Sequence, residues 1–330
     1  CPIAEARARD WAAAQRITAH LTLVSFAVVG GTQDTLLLSG ITVFAGLMPL
    51  SLRGDKWSFL WALLMSKPVQ SRFFNGDKLI NASAQSVGQS FSTSANAESL
   101  SLKPLRIALL GYRSAPFSGG QGVYLKYLSR ALVKLGHTVT VISGPPYPDL
   151  DAEVQLQKLP SLDLYAHGLK SVSPGQLLRD TLALAEWLSK LTGGFAEPYC
   201  FSRRLHHYLL AHSNSYDIIH DNQCLGWDML KVQRDGFPLL TTIHHPITSD
   251  LQIALNACQH WWEKLLIRSW HSFLTMQKKV AAQLNHIVTV SERSYADIVE
   301  SFDLNADNMQ LVYNGIDTKE FKSCPSIGPI

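Results

Sequence analysis

Apolar positions in the second two-thirds of the chain fall in two alternating patterns, short continuous runs and stripes at helical spacing. Residues 105–110 form an apolar run, and a loop holding Gly111, Gly119, Gly120 and Gly122 follows it. Beyond the loop, Tyr124, Leu128, Ala131 and Leu135 recur at helical intervals up to Gly136, a residue suited to stop a helix. Residues 138–142 are again apolar, so the unit predicts strand, glycine loop, helix, strand, with a right-handed crossover. The same reading gives a third strand at 154–159, a helix at 174–191 with proline near its start, and a helix at 199–211. A strand at 217–220, a helix at 224–233, a strand at 239–243 and a long helical region at 250–284, open to a break, come next. Strand 286–290, helix 292–301 and strand 309–313 complete the series. Strands alternating with helices predict an α/β domain with a doubly wound parallel sheet.

The first third reads differently. Residues 1–82 contain two apolar stretches, 17–31 and 35–52, each approaching the roughly 20 residues that cross a bilayer. Basic residues flank both, with Arg7, Arg9 and Arg16 before the first and Arg53 and Lys56 after the second, as a hairpin with a cytoplasmic base would have. Gly30, Gly31, Gly40, Gly46 and Pro49 weaken any helix there, so a membrane hairpin, a buried helical pair and non-domain sequence all stay open. Residues 83–103 are mostly Ser, Ala, Asn, Gln and Gly, the chemistry of a flexible linker. The expected organisation is therefore an N-terminal region at 1–82, a linker at 83–103, a folded domain at 104–322 and, at 323–330, the start of a truncated connection.

With 330 residues and 46% hydrophobic content the chain can bury a full core. A net charge of +3 is too mild to argue for nucleic acid. Five cysteines without a Cys-x-x-Cys pair suggest neither a disulfide framework nor a zinc site. Chemistry is expected where polar residues end apolar strands, since a parallel sheet binds ligands outside its carboxyl edge. That rule selects residues 111–122, Ser143-Gly144, residues 220–223, His244-His245-Pro246, Ser291-Glu292 and Asn314-Gly315. The glycines suit either a backbone cradle for phosphate or a tight turn, because the dinucleotide spacing Gly-x-Gly-x-x-Gly is absent. Ser291 reads as a helix N-cap and Asn314-Gly315 as a turn. Asp149-Leu150-Asp151 has the form Asp-x-Asp but follows a proline-rich loop, which favours a solvated turn over a metal site.

Five segments, taken in order, resemble one family: residues 118–124 (SGGQGVY), 135–141 (LGHTVTV), 242–246 (TIHHP), 288–294 (VTVSERS) and 312–317 (VYNGID). Together they resemble the N-terminal, acceptor-side domain of family 4 glycosyltransferases, retaining enzymes of the GT-B class, over about residues 104–322. The resemblance implies a Rossmann-like domain facing a second one across a cleft, with residues 314–317 at the crossing point. It implies transfer of a sugar from a nucleotide sugar, UDP- or GDP-linked, to a carbohydrate or lipid-linked acceptor with retention. No metal is implied. This chain would supply only the acceptor-side half and be inactive without its C-terminal donor domain. Carried over to this sequence, Gly119, Gly120 and Gln121 would face the donor phosphate or acceptor, and His244 would stand at the reacting sugar. Asp221, His245, Asp250 and Asn314 are further candidates on the rim. For Asp221, pairing with Arg203 or Arg204 is the structural alternative. Trp261, Trp262, Trp270 and Phe273 suit core and cleft wall, or a platform under an acceptor. The competing reading is a non-catalytic binding module of the same fold, with membrane tethering left open. A cytoplasmic location is expected, and nucleic acid is not an expected partner.

Overall fold

The computed structural model describes residues 103–117 and 120–316. The apolar stretches 17–31 and 35–52, nearly all of the linker, Gly119 and residues 317–330 lie outside the described residues.

Short runs with buried side chains make the inner strands, and striped segments make the helices between them. In order they are β1 (Arg106–Gly111), α1 (Gln121–Lys134), β2 (Thr138–Ser143), β3 (Gln155–Lys158), the single-turn α2 (Leu164–His167), α3 (Pro174–Arg179), α4 (Thr181–Leu191) and α5 (Glu197–Ala211). There follow β4 (Ile218–Asn222), α6 (Asp228–Arg234), β5 (Leu239–Ile243), α7 (Thr248–Ala257), α8 (Trp261–Trp270), α9 (Phe273–Ala281), β6 (Ile287–Thr289), α10 (Glu292–Phe302) and β7 (Met309–Leu311). The sheet order is β3-β2-β1-β4-β5-β6-β7 and every neighbouring pair is parallel. This is the doubly wound parallel α/β sheet that the strand and helix alternation predicts.

The central strands β4 and β5 are buried at every position because both of their faces are covered. On one face Ile107, Leu109, Val139 and Val141 cluster with Leu125, Leu128 and Leu132 of α1. On the other, Ala108, Leu110, Ile142 and Ile219 cluster with Leu205 and Leu209 of α5, Met229 of α6 and Val280 of α9. Strand order reverses between β1 and β4, and at such a reversal the connections leave in opposite directions and open a crevice at the carboxyl edge.

Two helix starts differ from the sequence expectation through a side chain capturing backbone groups. The helix expected at 174–191 is two helices, because the Asp180 carboxylate accepts the Leu182 N–H at 2.8 Å and starts α4 afresh. The helix expected from residue 224 begins only at Asp228, since the preceding chain is drawn into a left-handed loop by Asp221. The region 250–284 is three helices, α7, α8 and α9. Ser291 does cap its helix, accepting the Ser294 N–H at 3.0 Å. Among the described residues no helix is long and apolar enough to cross a membrane.

Candidate functional site

The glycine loop is pinned before it reaches α1. Gly144 N–H donates to Gly111 O at 3.0 Å and Ser114 N–H to Pro146 O at 3.0 Å, tying the exit of β1 to that of β2. Buried Ser143 Oγ sits 2.9 Å from Ser114 Oγ and 3.1 Å from Gly111 O. On the outer side Arg113 reaches both carboxylate oxygens of Glu197 at 3.0 Å, at the start of α5. The recess beside that pair, lined by Tyr165, Glu186, Lys190 and Phe195, has about 10 Å³ of free volume, room for one water.

Gly120 sets the start of α1. Its φ of 68° is a left-handed conformation that side chains disfavour, and it occupies the N-cap with no side chain capping the helix. No acidic residue sits in the first turn. The N–H groups of Gln121, Gly122 and Val123 therefore have no intrahelical acceptor, and the helix presents its positive end at the rim. The Gln121 side chain bonds the Tyr112 hydroxyl. Gly122 answers to packing: a Cβ there would lie 2.2 Å from Ala115 O and 2.5 Å from Ser114 O.

His244, directly after β5, comes to the same end of the sheet. Tyr124, on the first turn of α1, meets its ring edge-on with centroids 4.7 Å apart. His244 Nε2 lies 2.6 Å from Asn222 Oδ1 at the end of the neighbouring β4. Below them Tyr124 bonds Thr242, whose Oγ1 lies 2.7 Å from Nε2 of buried His220. The loop's helix and the imidazole thus share the crevice at the strand-order reversal.

The other candidates spread along the rim. His245 Nε2 is 3.5 Å from Asp250 Oδ2, in the first turn of α7. Asn314 is exposed beyond β7, two strand spacings or about 10 Å along the sheet from β5, which carries His244. Asp221 is fully buried and serves the backbone, accepting Cys224 N–H at 3.2 Å and Leu225 N–H at 3.3 Å. It pairs with neither arginine: Arg203 binds Asp228 at 3.3 Å, and Arg204 binds Glu186 and, at 3.0 Å, Asp180. Asp149 and Asp151 carry Lys126 at 2.6 Å and Arg130 at 2.5 Å, so the Asp-x-Asp turn is occupied by cations of α1. Trp270 and Phe273 pack with Phe195 in the core, whereas Trp261 is exposed and Trp262 stacks on His260. Asn222 belongs to the polar run 220–223 that the rim rule selects, without a role of its own, whereas nothing in the sequence marks Tyr124 or Gln277 as site positions.

Burial keeps the two histidines neutral, His220 down to about pH 3 and His244 to about pH 4, with neighbouring imidazoles adding to each shift. Both folded values lie below the unfolded one of 6.5, so the unfolded chain takes up protons first and these groups cost stability as pH falls through that window. Asp221 and Glu197, both raised to about 7 by burial, act in the opposite sense as pH rises. Replacing His220 by glutamine is expected to remove about 2 kcal/mol of the histidine penalty between pH 6.5 and 4.5. Urea unfolding at the two pH values measures it, and an unchanged difference between variant and parent would contradict the assignment.

Comparison with known proteins follows the same outline. The sequence model described as Glycosyltransferase Family 4 matches residues 118–320. Over 221 residues the chain is 45% identical to the MMP alpha-(1->4)-mannosyltransferase of Mycolicibacterium hassiacum, which is 66% of this chain and 53% of that protein. The chain therefore spans about half the length of that relative. Among solved structures, a glycosyltransferase from Rickettsia africae is 14% identical over 67% of this chain and 46% of its own, with a TM-score of 0.35. Phytolacca americana UGT2, complexed with UDP-2fluoro-glucose and pterostilbene, is 15% identical over 64% of this chain and 55% of its own, with a TM-score of 0.38. On the match to well over half of its residues, and on the identity to a curated relative, the chain belongs to glycosyltransferase family 4.

Proposed function

We propose that this chain is the acceptor-side half of a retaining hexosyltransferase that moves a sugar, by the likeness to the Mycolicibacterium enzyme a mannosyl group, from a nucleotide diphosphate to a carbohydrate hydroxyl. The observation that carries the reading is the shared crevice, where the uncapped N-terminus of α1 and the His244 imidazole meet through Tyr124. In the transfer the anomeric carbon loses its bond to the diphosphate and gains one to the acceptor oxygen on the same face. The acceptor proton passes to the departing phosphate. Charge then collects on phosphate oxygens, and oriented N–H groups at a helix start stabilise it without having to reorganise. His244, neutral above about pH 4 and with Nε2 on Asn222 Oδ1, leaves Nδ1 to accept a hydrogen bond from a sugar hydroxyl. No side chain of this half serves as the nucleophile, and the donor itself is held by the partner domain.

The test is a transfer assay with GDP-mannose and UDP-glucose over a mannoside acceptor, using the chain alone and joined to a family 4 donor domain. The expected outcome is an α-linked product from the α-linked donor in the joined protein, and no product with weak or no calorimetric binding in the chain alone. A β-linked product would overturn retention, and failure of every donor and acceptor would overturn the proposal.

A further inference from the structure

We infer that Gln223 is a positioning residue for His244, a side chain that stands in for a missing strand and fixes the direction from which the imidazole enters the crevice. The inference rests on the reading of that crevice as the transfer site. Strands β4 and β5 stay in register as far as Asn222 and Thr242 and then separate. Beyond that point the Gln223 amide takes over the ladder: its Oε1 accepts the His244 N–H at 2.8 Å and its Nε2 donates to His245 O at 2.9 Å. A primary amide has the donor and the acceptor that a peptide of a neighbouring strand would offer, so both bonds are satisfied at once.

This placement is held against a backbone preference. Gln223 and Leu225 have φ of 54° and 53°, in the left-handed region that non-glycine residues avoid. What holds them there is buried: the Asp221 carboxylate on the N–H groups of Cys224 and Leu225, and Gln277 Nε2 on Gln223 O at 3.4 Å and Cys224 O at 3.1 Å. Strain kept by two dedicated side chains is economical only if the turn places something, and what it places is the 223 side chain across the exit of β5. With the His244 N–H and the His245 C=O held by one amide, the backbone on both sides of the His244–His245 peptide is fixed, and with it the direction in which the imidazole leaves the chain. Asn222 and the Tyr124 edge confine that ring from its other sides, while His245 beside it and buried His220 are the further titratable groups that bear on it.

Two variants of the full chain separate positioning from folding. Gln223→Gly removes both side-chain bonds while relieving the left-handed backbone, so a purely structural residue predicts little change at His244. Gln223→Glu keeps the acceptor for His244 N–H and loses the donor to His245. In protein labelled at histidine, the Gln223→Gly form is expected to lose the nuclear Overhauser contact between Tyr124 and His244. Its His244 titration should move from about 4 toward 6.5. Gln223→Glu should retain the contact and alter the His245 resonances. An unmoved His244 in a folded Gln223→Gly protein overturns the inference; should that variant not fold, altered His244 and unaltered His245 signals in Gln223→Glu do so. In the joined enzyme, turnover of Gln223→Gly should drop about ten-fold with KM nearly constant, as expected for lost orientation. A displaced His244 with unchanged turnover would leave the positioning intact and count against the transfer site instead.

Discussion

Replacing Gly122 by alanine is expected to lower the unfolding free energy by about 3 kcal/mol, the upper range for forcing an extra carbon into a packed site. The added Cβ would stand 2.2 Å from Ala115 O, 2.5 Å from Ser114 O and 2.8 Å from Ala115 C, all backbone atoms. A flexible side chain in that place would swing aside. The 114–115 backbone has nowhere to retreat, because Ser114 is bonded to Pro146 O and sits against Ser143 Oγ. Gly136 is the control. Its φ of 90° is unfavourable for alanine, but nothing lies within 4 Å of its Cβ position, so that change should cost about 1 kcal/mol. Denaturant titration of the two variants compares them directly, and equal losses would mean that the 114–115 backbone does give way to the added Cβ.

In the joined transferase, His244→Ala should reduce turnover by about 10²- to 10³-fold, the range seen when one preorganised polar group is removed from a transfer site. The fold should persist, since the ring is only half-buried and its loss leaves Asn222 Oδ1 to be reached by water. His245→Ala is expected to cost less than about ten-fold: its ring is 41% exposed and leans on Asp250 at 3.5 Å, on the outer side of the rim. The pair is read best as turnover at saturating donor, with circular dichroism to confirm folding. Activity of His244→Ala within a few-fold of the parent would remove the imidazole from the chemistry.

The architecture was legible wherever one residue type decides the outcome locally. Strands β1 and β2, expected at 105–110 and 138–142, are buried beyond their first residue because both of their faces are covered, and the loop after the first announces itself by glycine. Legibility failed where a side chain far along the chain sets the backbone. For the left-handed turn at Gln223 and Leu225 the sequence nearby shows only Asp221, because the groups that hold it also include Gln277, 54 residues beyond Gln223. The late start of α6 has the same origin. His244 could be proposed from its place after an apolar strand, yet Asn222, Gln223 and Tyr124 could not be joined to it without the parallel register that sets β4 beside β5. Asp221 misled for a related reason: a carboxylate at a strand end looks solvent-facing in sequence, and here it is turned inward onto two amides.

The two border strands carry a consequence for how the molecule behaves among its own copies. β3 is four residues long with the sequence Gln-Leu-Gln-Lys, and β7 is three residues long. A free chain seeking to zip onto either side would find only a handful of open amides, and along β3 a lysine and two glutamines that stay better hydrated apart. Resistance to cross-β aggregation is thus written into the brevity and polarity of the flanks, while the sticky central strands stay shielded between them.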